Sequence, residues 1–201
     1  MTDYTTINFA PLLAAAEDEV ITESFVRDVA LPSGGTLALI TLDNGRDHTR
    51  PNTLGPRTLE ALGKVLDEQS ARAAAGEIRA VGITGKPFIF AAGADLSKVS
   101  TLATRENARL MAQYGHHILG KFGTLGVPSF AFVNGLALGG AMETALNCNY
   151  RTLDSSAAAL AFPEALLGII PGRGGATIAP TLMGIENALE IIVSNPLKNN
   201  R

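Results

Sequence analysis

Asn134-Gly135-Leu136-Ala137-Leu138-Gly139-Gly140-Ala141-Met142-Glu143 is the stretch on which the fold turns. Ahead of it Ser129 to Val133 is β-prone, and behind it the apolar residues continue to Asn147 as a helix from about Gly139. Strand, Asn-Gly turn, glycine pair and helix in that order is how a β-to-α connection reads. Glycines at such a junction let the backbone approach a ligand, and the first N–H groups of a helix lack internal partners and point at negative charge. Gly140 can therefore donate to an oxyanion, with Glu143, one turn in, beside the same entrance. The competing reading is tight helix–strand packing, with Glu143 an acidic residue favoured by the helix dipole.

Outward from this stretch, strands and helices alternate. A short helical lead-in spans Pro11 to Glu19, and two β-rich runs, Ser24 to Leu31 and Thr36 to Leu42, flank Pro32-Ser33-Gly34-Gly35 as a hairpin. Leu59, Leu62, Val65 and Leu66 recur at helical spacing within Thr58 to Ala75, with Pro56 ahead and Gly76 behind as start and stop signals. Ala80 to Thr84 reads as a buried strand ending in Gly85, Phe88 to Leu96 as a small-residue loop, and Arg105 to Lys121 as a helix. Short strands are expected near Tyr150 and Leu160, and a helix from Thr177 to Val193 with a break near Gly184. The alternation argues for an α/β layered fold.

The chain has 201 residues, 46% of them hydrophobic and 17% charged, enough to bury one core, so residues 1–201 are expected to form a single domain. A net charge of −3 without a Lys/Arg run offers nothing to nucleic acid or to a membrane surface. No apolar run approaches the ~20 residues of a membrane span and no leader pattern precedes the first helix, so a cytoplasmic protein is expected. The single cysteine, Cys148, excludes disulfides within one chain.

Two glutamates stand alone in apolar sequence. Between Arg109 and Arg151 the only charges are Lys121 and Glu143, and between Asp154 and Arg173 the only one is Glu164. A buried carboxylate shifts its pKa or finds a partner, and two in one pocket can divide the roles of acid and base. Pro163 fixes the backbone that carries Glu164. The loop Phe90-Ala91-Ala92-Gly93-Ala94-Asp95-Leu96 could expose the Ala94 N–H as a second oxyanion donor, the alternative being a turn before a helix capped by Asp95. The glycine run after Pro171 lacks the Lys-Ser/Thr ending of a nucleotide-phosphate loop. His48, His116 and His117 have no metal-ligand spacing, and no Gly-x-Ser-x-Gly elbow offers a nucleophile.

Taken together, Phe90 to Leu96, Asn134 to Glu143 and Phe162-Pro163-Glu164-Ala165-Leu166-Leu167-Gly168-Ile169-Ile170-Pro171-Gly172 resemble the enoyl-CoA hydratase (crotonase) family in order and spacing, over about Ser24 to Leu197. The resemblance implies a crotonase-like spiral of ββα units, a thioester oxygen held by the N–H groups of Ala94 and Gly140, and acid/base work by Glu143 and Glu164. It implies substrate contacts at Ala92, Gly93, Ala94, Asp95, Leu96, Gly139, Gly140, Pro163 and Gly172. The expected reaction is reversible hydration of a trans-2-enoyl-CoA; coenzyme A enters with the substrate, and no metal or redox cofactor is required. The alternatives are an enoyl-CoA isomerase working with one glutamate and a non-catalytic acyl-CoA-binding fragment. The tail Gly184 to Leu197 resembles the hydratase part of multifunctional β-oxidation α-subunits. The chain is shorter than a complete hydratase unit, so the C-terminal helical closure of the pocket is expected to be missing. Assembly as a homotrimer or with other β-oxidation enzymes is the partner expectation. In the loop Asn44 to Leu54 only Asn52 to Leu54 matches the relatives' coenzyme A-contacting stretch.

Overall fold

The computed structural model describes residue 4 and residues 6–95, 104–157 and 159–194. The hairpin forms as expected: β1 (Glu23–Ala30) pairs antiparallel with β2 (Thr36–Asp43). Gly34 and Gly35 take φ of 86° and 94° in the turn, a region that only glycine enters without cost. The helix α2 (Pro56–Ala74) follows, then β3 (Ala80–Gly85), β4 (Phe88–Ala91) and α3 (Arg105–Gly120). Next come β5 (Ser129–Val133), β6 (Gly135–Leu138) and α4 (Gly140–Asn147). The last unit is β7 (Tyr150–Leu153), β8 (Leu160–Ala161), a 3₁₀ turn (Pro163–Leu167) and α5 (Gly175–Met183), followed by α6 (Ile185–Leu189) and a wider turn to Ser194.

Each ββα unit gives one strand to each of two sheets. β3, β5 and β7 extend the hairpin into a five-stranded sheet of order β1-β2-β3-β5-β7, parallel after the first pair. β4, β6 and β8 form a second, parallel sheet. This is the expected spiral of ββα units. Three local readings are corrected. Phe88–Ala91 and Gly135–Leu138 are strands rather than loop and turn, because pairing across the sheet orders four-residue segments too short to show a period. The lead-in helix, α1, is Ala10–Ala14 only.

α2 and α3 bury Leu59, Leu62 and Leu66 against Leu110, Tyr114 and Ile118, each large side chain worth about 1.5–3 kcal/mol. α4 reaches the sheets through small residues: Ala141 and Ala145 pack with Ala131 of β5 and Ala137 of β6, all at most 1% exposed. Among the described residues no helix is long and apolar enough to cross a membrane.

α2 begins without a capping side chain of its own, at Gly55-Pro56. The Glu19 carboxylate takes that role from a distance. Its Oε2 accepts from Arg57 N at 2.8 Å, and its Oε1 from Thr58 N at 3.0 Å and Thr58 Oγ1 at 2.7 Å. A side chain at Gly55 would displace this carboxylate from its position. Glu19→Ala is expected to lower stability by about 1–2 kcal/mol, read as a fall in the denaturation midpoint at constant slope, because it leaves three donors unsatisfied.

Candidate active site

The first two ββα units, β3-β4 and β5-β6, turn from one sheet to the other at glycines. Gly85 and Gly135 each run so close to backbone of the β4 segment that a Cβ would collide with it. Asn134 clamps the two turns together, donating to Gly85 O at 3.0 Å and Lys86 O at 2.8 Å and accepting from Gly85 N at 3.1 Å. Phe88 therefore pairs with Gly135 and Ile89 with Leu136, and the chain leaving β4 runs beside the start of α4. At Gly93, with φ of 76°, an added Cβ would stand 2.7 Å from Leu138 O and 2.9 Å from Gly140 N. The buried Asn52 holds this segment, its side-chain Nδ2 donating to Leu42 O at 2.8 Å and Phe90 O at 3.1 Å while its backbone carbonyl accepts from Ala92 N at 2.8 Å. Leu54 N donates to Gly93 O at 2.7 Å. Gly93 thus lies against the start of α4, which brings Ala94, the next residue, to the neighbourhood of Gly140. Asp95 is half-buried at the end of this segment, while Leu96 lies outside the described residues.

Glu143 is buried, 2% exposed. Its Oε1 accepts from Arg173 N at 2.6 Å and from Gly175 N at 2.9 Å, so the first turn of α4 and the start of α5 share one carboxylate oxygen. The approach depends on glycine: Gly174 has φ of 116°, and a Cβ on Gly175 would stand 2.7 Å from Pro171 Cβ and 3.1 Å from Glu143 Cγ. Asn147, one turn along α4, donates to Arg173 O at 3.3 Å and closes the junction.

Glu164 reaches the same corner from the other side. Pro163 starts the 3₁₀ turn, and Gly168, left-handed at φ of 72°, ends it. The carboxylate lies on Gly139, where an added Cβ would stand 2.7 Å from Oε1, and Oε2 is buried with no partner among the described residues. Burial pushes the Glu164 pKa up to about 7; its own backbone N–H opposes the shift, the Glu143 charge adds to it and the Arg173 charge opposes it. A carboxyl poised near neutrality can both give and accept a proton.

The structure thus brings Glu143, Glu164, Gly139, Gly140, Gly93 and Ala94 to one corner. Gly172, next to Arg173, is exposed, and an added Cβ there would stand 3.4 Å from Ala112 Cβ of α3. Arg173 was not singled out from the sequence, yet its side chain is buried at this corner and its Nη1 donates to Leu54 O at 2.9 Å. The signal available was a lone cation in apolar sequence, masked by the glycines on both sides. The histidines lie elsewhere, His48 beside Phe88 and His116 and His117 beside Tyr4, and the described residues hold no group of three metal-ligating side chains.

Residues 33–196 match the family model described as enoyl-CoA hydratase/isomerase. The chain belongs to this family. Among curated proteins it is 36% identical over 159 residues to the fatty acid oxidation complex subunit alpha of Shewanella amazonensis and 35% identical over 161 residues to that of Shewanella loihica. These alignments cover 79% of this chain and 22% of each relative, so the chain spans under a quarter of their length. Among solved structures it is similar to an enoyl-CoA hydratase from Bacillus anthracis (30% identity, TM-score 0.71, 83% of this chain and 61% of that one). It is also similar to DspI of Pseudomonas aeruginosa (30% identity, TM-score 0.74, 86% and 66%). The hydratase match gives the spiral its family name, the crotonase fold.

A direct check on this corner is a carboxyl-carbon NMR titration that assigns Glu164 by comparison with Glu164→Gln. Its midpoint is expected near 7 rather than in the ordinary carboxylate range; an ordinary midpoint would mean that the carboxyl is solvated and not lodged on Gly139.

Proposed function

We propose that this site catalyses the reversible addition of water to a trans-2-enoyl-CoA, giving a 3-hydroxyacyl-CoA in fatty-acid β-oxidation. The observation that carries the reading is the pair of carboxylates at one glycine-lined corner. Glu143 has one oxygen occupied by backbone donors, and Glu164 keeps its proton up to about pH 7. The thioester oxygen accepts hydrogen bonds from Ala94 N–H and Gly140 N–H, which stabilise the enolate charge as it develops; one such donor is worth about 3 kcal/mol in the transition state. Glu143 Oε2 orients the water and takes its proton as the oxygen attacks the β-carbon. Protonated Glu164 delivers its proton to the α-carbon. Atoms balance as one water added across the double bond, and the exchanged protons return the two carboxyls to their starting forms through solvent.

In these steps no metal or redox cofactor takes part, and coenzyme A enters as part of the thioester. A cytoplasmic setting and association with other β-oxidation enzymes go with the same reading, supported by the likeness to subunits of a fatty acid oxidation complex. The second reading, an isomerase that moves one proton between carbons, draws its support from Glu164 alone, whose raised pKa suits proton shuttling.

Loss of the conjugated absorbance of crotonyl-CoA reports hydration. Glu164→Gln is expected to lower turnover by roughly 100-fold or more while coenzyme A-ester binding stays nearly intact; a variant with full turnover would remove Glu164 from the mechanism. Both directions start from the glutamate pair carrying one proton, and water addition consumes no net proton, so kcat/KM for hydration and for dehydration of the 3-hydroxyacyl-CoA are expected to fall together as pH rises through about 7. A kcat/KM that stays flat through pH 7 in both directions would contradict the assignment.

A further inference from the structure

Arg173 has no part in the hydration steps above, yet it stands among the groups that perform them. The residue is buried, 7% exposed, and no carboxylate oxygen among the described residues lies within 4 Å of its guanidinium nitrogens. A guanidinium carries five N–H donors and does not deprotonate in proteins. Here Nη1 donates to Leu54 O, while Nε and Nη2 have no acceptor among the described residues and are not sealed from solvent. These donors are therefore open to an oxygen that enters the site.

Two glycines on different elements keep room for this side chain. A Cβ on Gly115 of α3 would stand 2.5 Å from Arg173 Cγ and Cδ and 2.9 Å from Nε. A Cβ on Gly140 of α4 would stand 2.8 Å from Nη1. The stem is thus seated on α3 and the head on the residue whose N–H is the proposed oxyanion donor. Glu143, Glu164 and Glu19 are the carboxylates whose charge it feels. Glu143 is engaged by backbone N–H groups, Glu19 caps α2, and neither reaches the guanidinium.

We propose that Arg173 is an anion-binding residue of this glycine-lined corner, its unused N–H donors serving a negatively charged oxygen on the acyl group of the thioester. This rests on the acyl-CoA reading of the site. The oxygen has two sources: the thioester oxygen as it becomes an enolate, or a carboxylate carried on the acyl chain. In either case the guanidinium supplies a charged, planar donor beside Gly140 that backbone amides alone do not provide.

The full chain, Arg173→Met and Arg173→Lys are compared after circular dichroism and thermal unfolding confirm that each is folded; if Arg173→Met does not fold, Arg173→Gln replaces it. Calorimetry first gives Kd for butyryl-CoA and glutaryl-CoA, neither of which can react. A carboxylate source predicts at least about tenfold tighter binding of glutaryl-CoA by the wild-type chain, lost in Arg173→Met and partly kept in Arg173→Lys. Hydration of crotonyl-CoA is the second arm. An enolate source predicts a fall in kcat of about tenfold or more in Arg173→Met with KM nearly unchanged, and partial recovery in Arg173→Lys. A folded Arg173→Met with wild-type kcat and wild-type binding of both thioesters overturns the proposal. If the wild-type chain binds thioesters but turns none over, the hydration reading fails by itself; glutaryl-CoA preference then still supports the anion site and its absence overturns it.

Discussion

Two backbone N–H groups, those of Arg173 and Gly175, converge on one oxygen of Glu143, and the arrangement of the site depends on that junction. A buried carboxylate is expensive without donors, so α4 and the glycine run before α5 are held in one relative position. The other parts take their places from it. Gly139 and Gly140 begin the same helix, Glu164 rests on Gly139, and the segment after β4 crosses at Gly93. Removing the Glu143 carboxylate would leave two buried donors unmatched as well as removing a reacting group, so even a conservative change there affects both stability and chemistry.

Small residues form the working corner and large ones surround it. Leu54, Phe90 and Phe162 are fully buried around a centre of glycine and alanine. This division has a physical reason: backbone N–H groups can stabilise a ligand oxygen only where no side chain stands in front of them, while rigidity must come from the packed shell. The Asn52 and Asn134 side chains take over where the backbone ladder is interrupted, tying loops to strand ends.

Much of this was legible in the sequence, for identifiable reasons. The α2 and α3 periods are long enough to show a helical face, and the hairpin carries its own glycine turn. Glu143 and Glu164 stand out because a charge in apolar sequence demands an explanation. β4, β6 and the role of Arg173 were not legible. Four-residue strands of glycine, alanine and leucine acquire their identity only by pairing across the sheet, as Phe88 does with Gly135. Glu19 caps a helix 39 residues away from it, a relation that no local pattern encodes. Arg173 sits in a glycine run whose composition reads as a loop, and only the space cleared by Gly115 and Gly140 shows where its side chain goes.

The central claim is that Glu143 and Glu164 act together on one bound thioester. Turnover of crotonyl-CoA by the wild-type chain, Glu143→Gln, Glu164→Gln and the double variant tests it most directly, with folding of each verified. Residues that act as a unit are not additive. The double variant is expected to be no slower than the slower of the two single ones; losses that multiply, or full turnover in either single variant, would contradict a shared site.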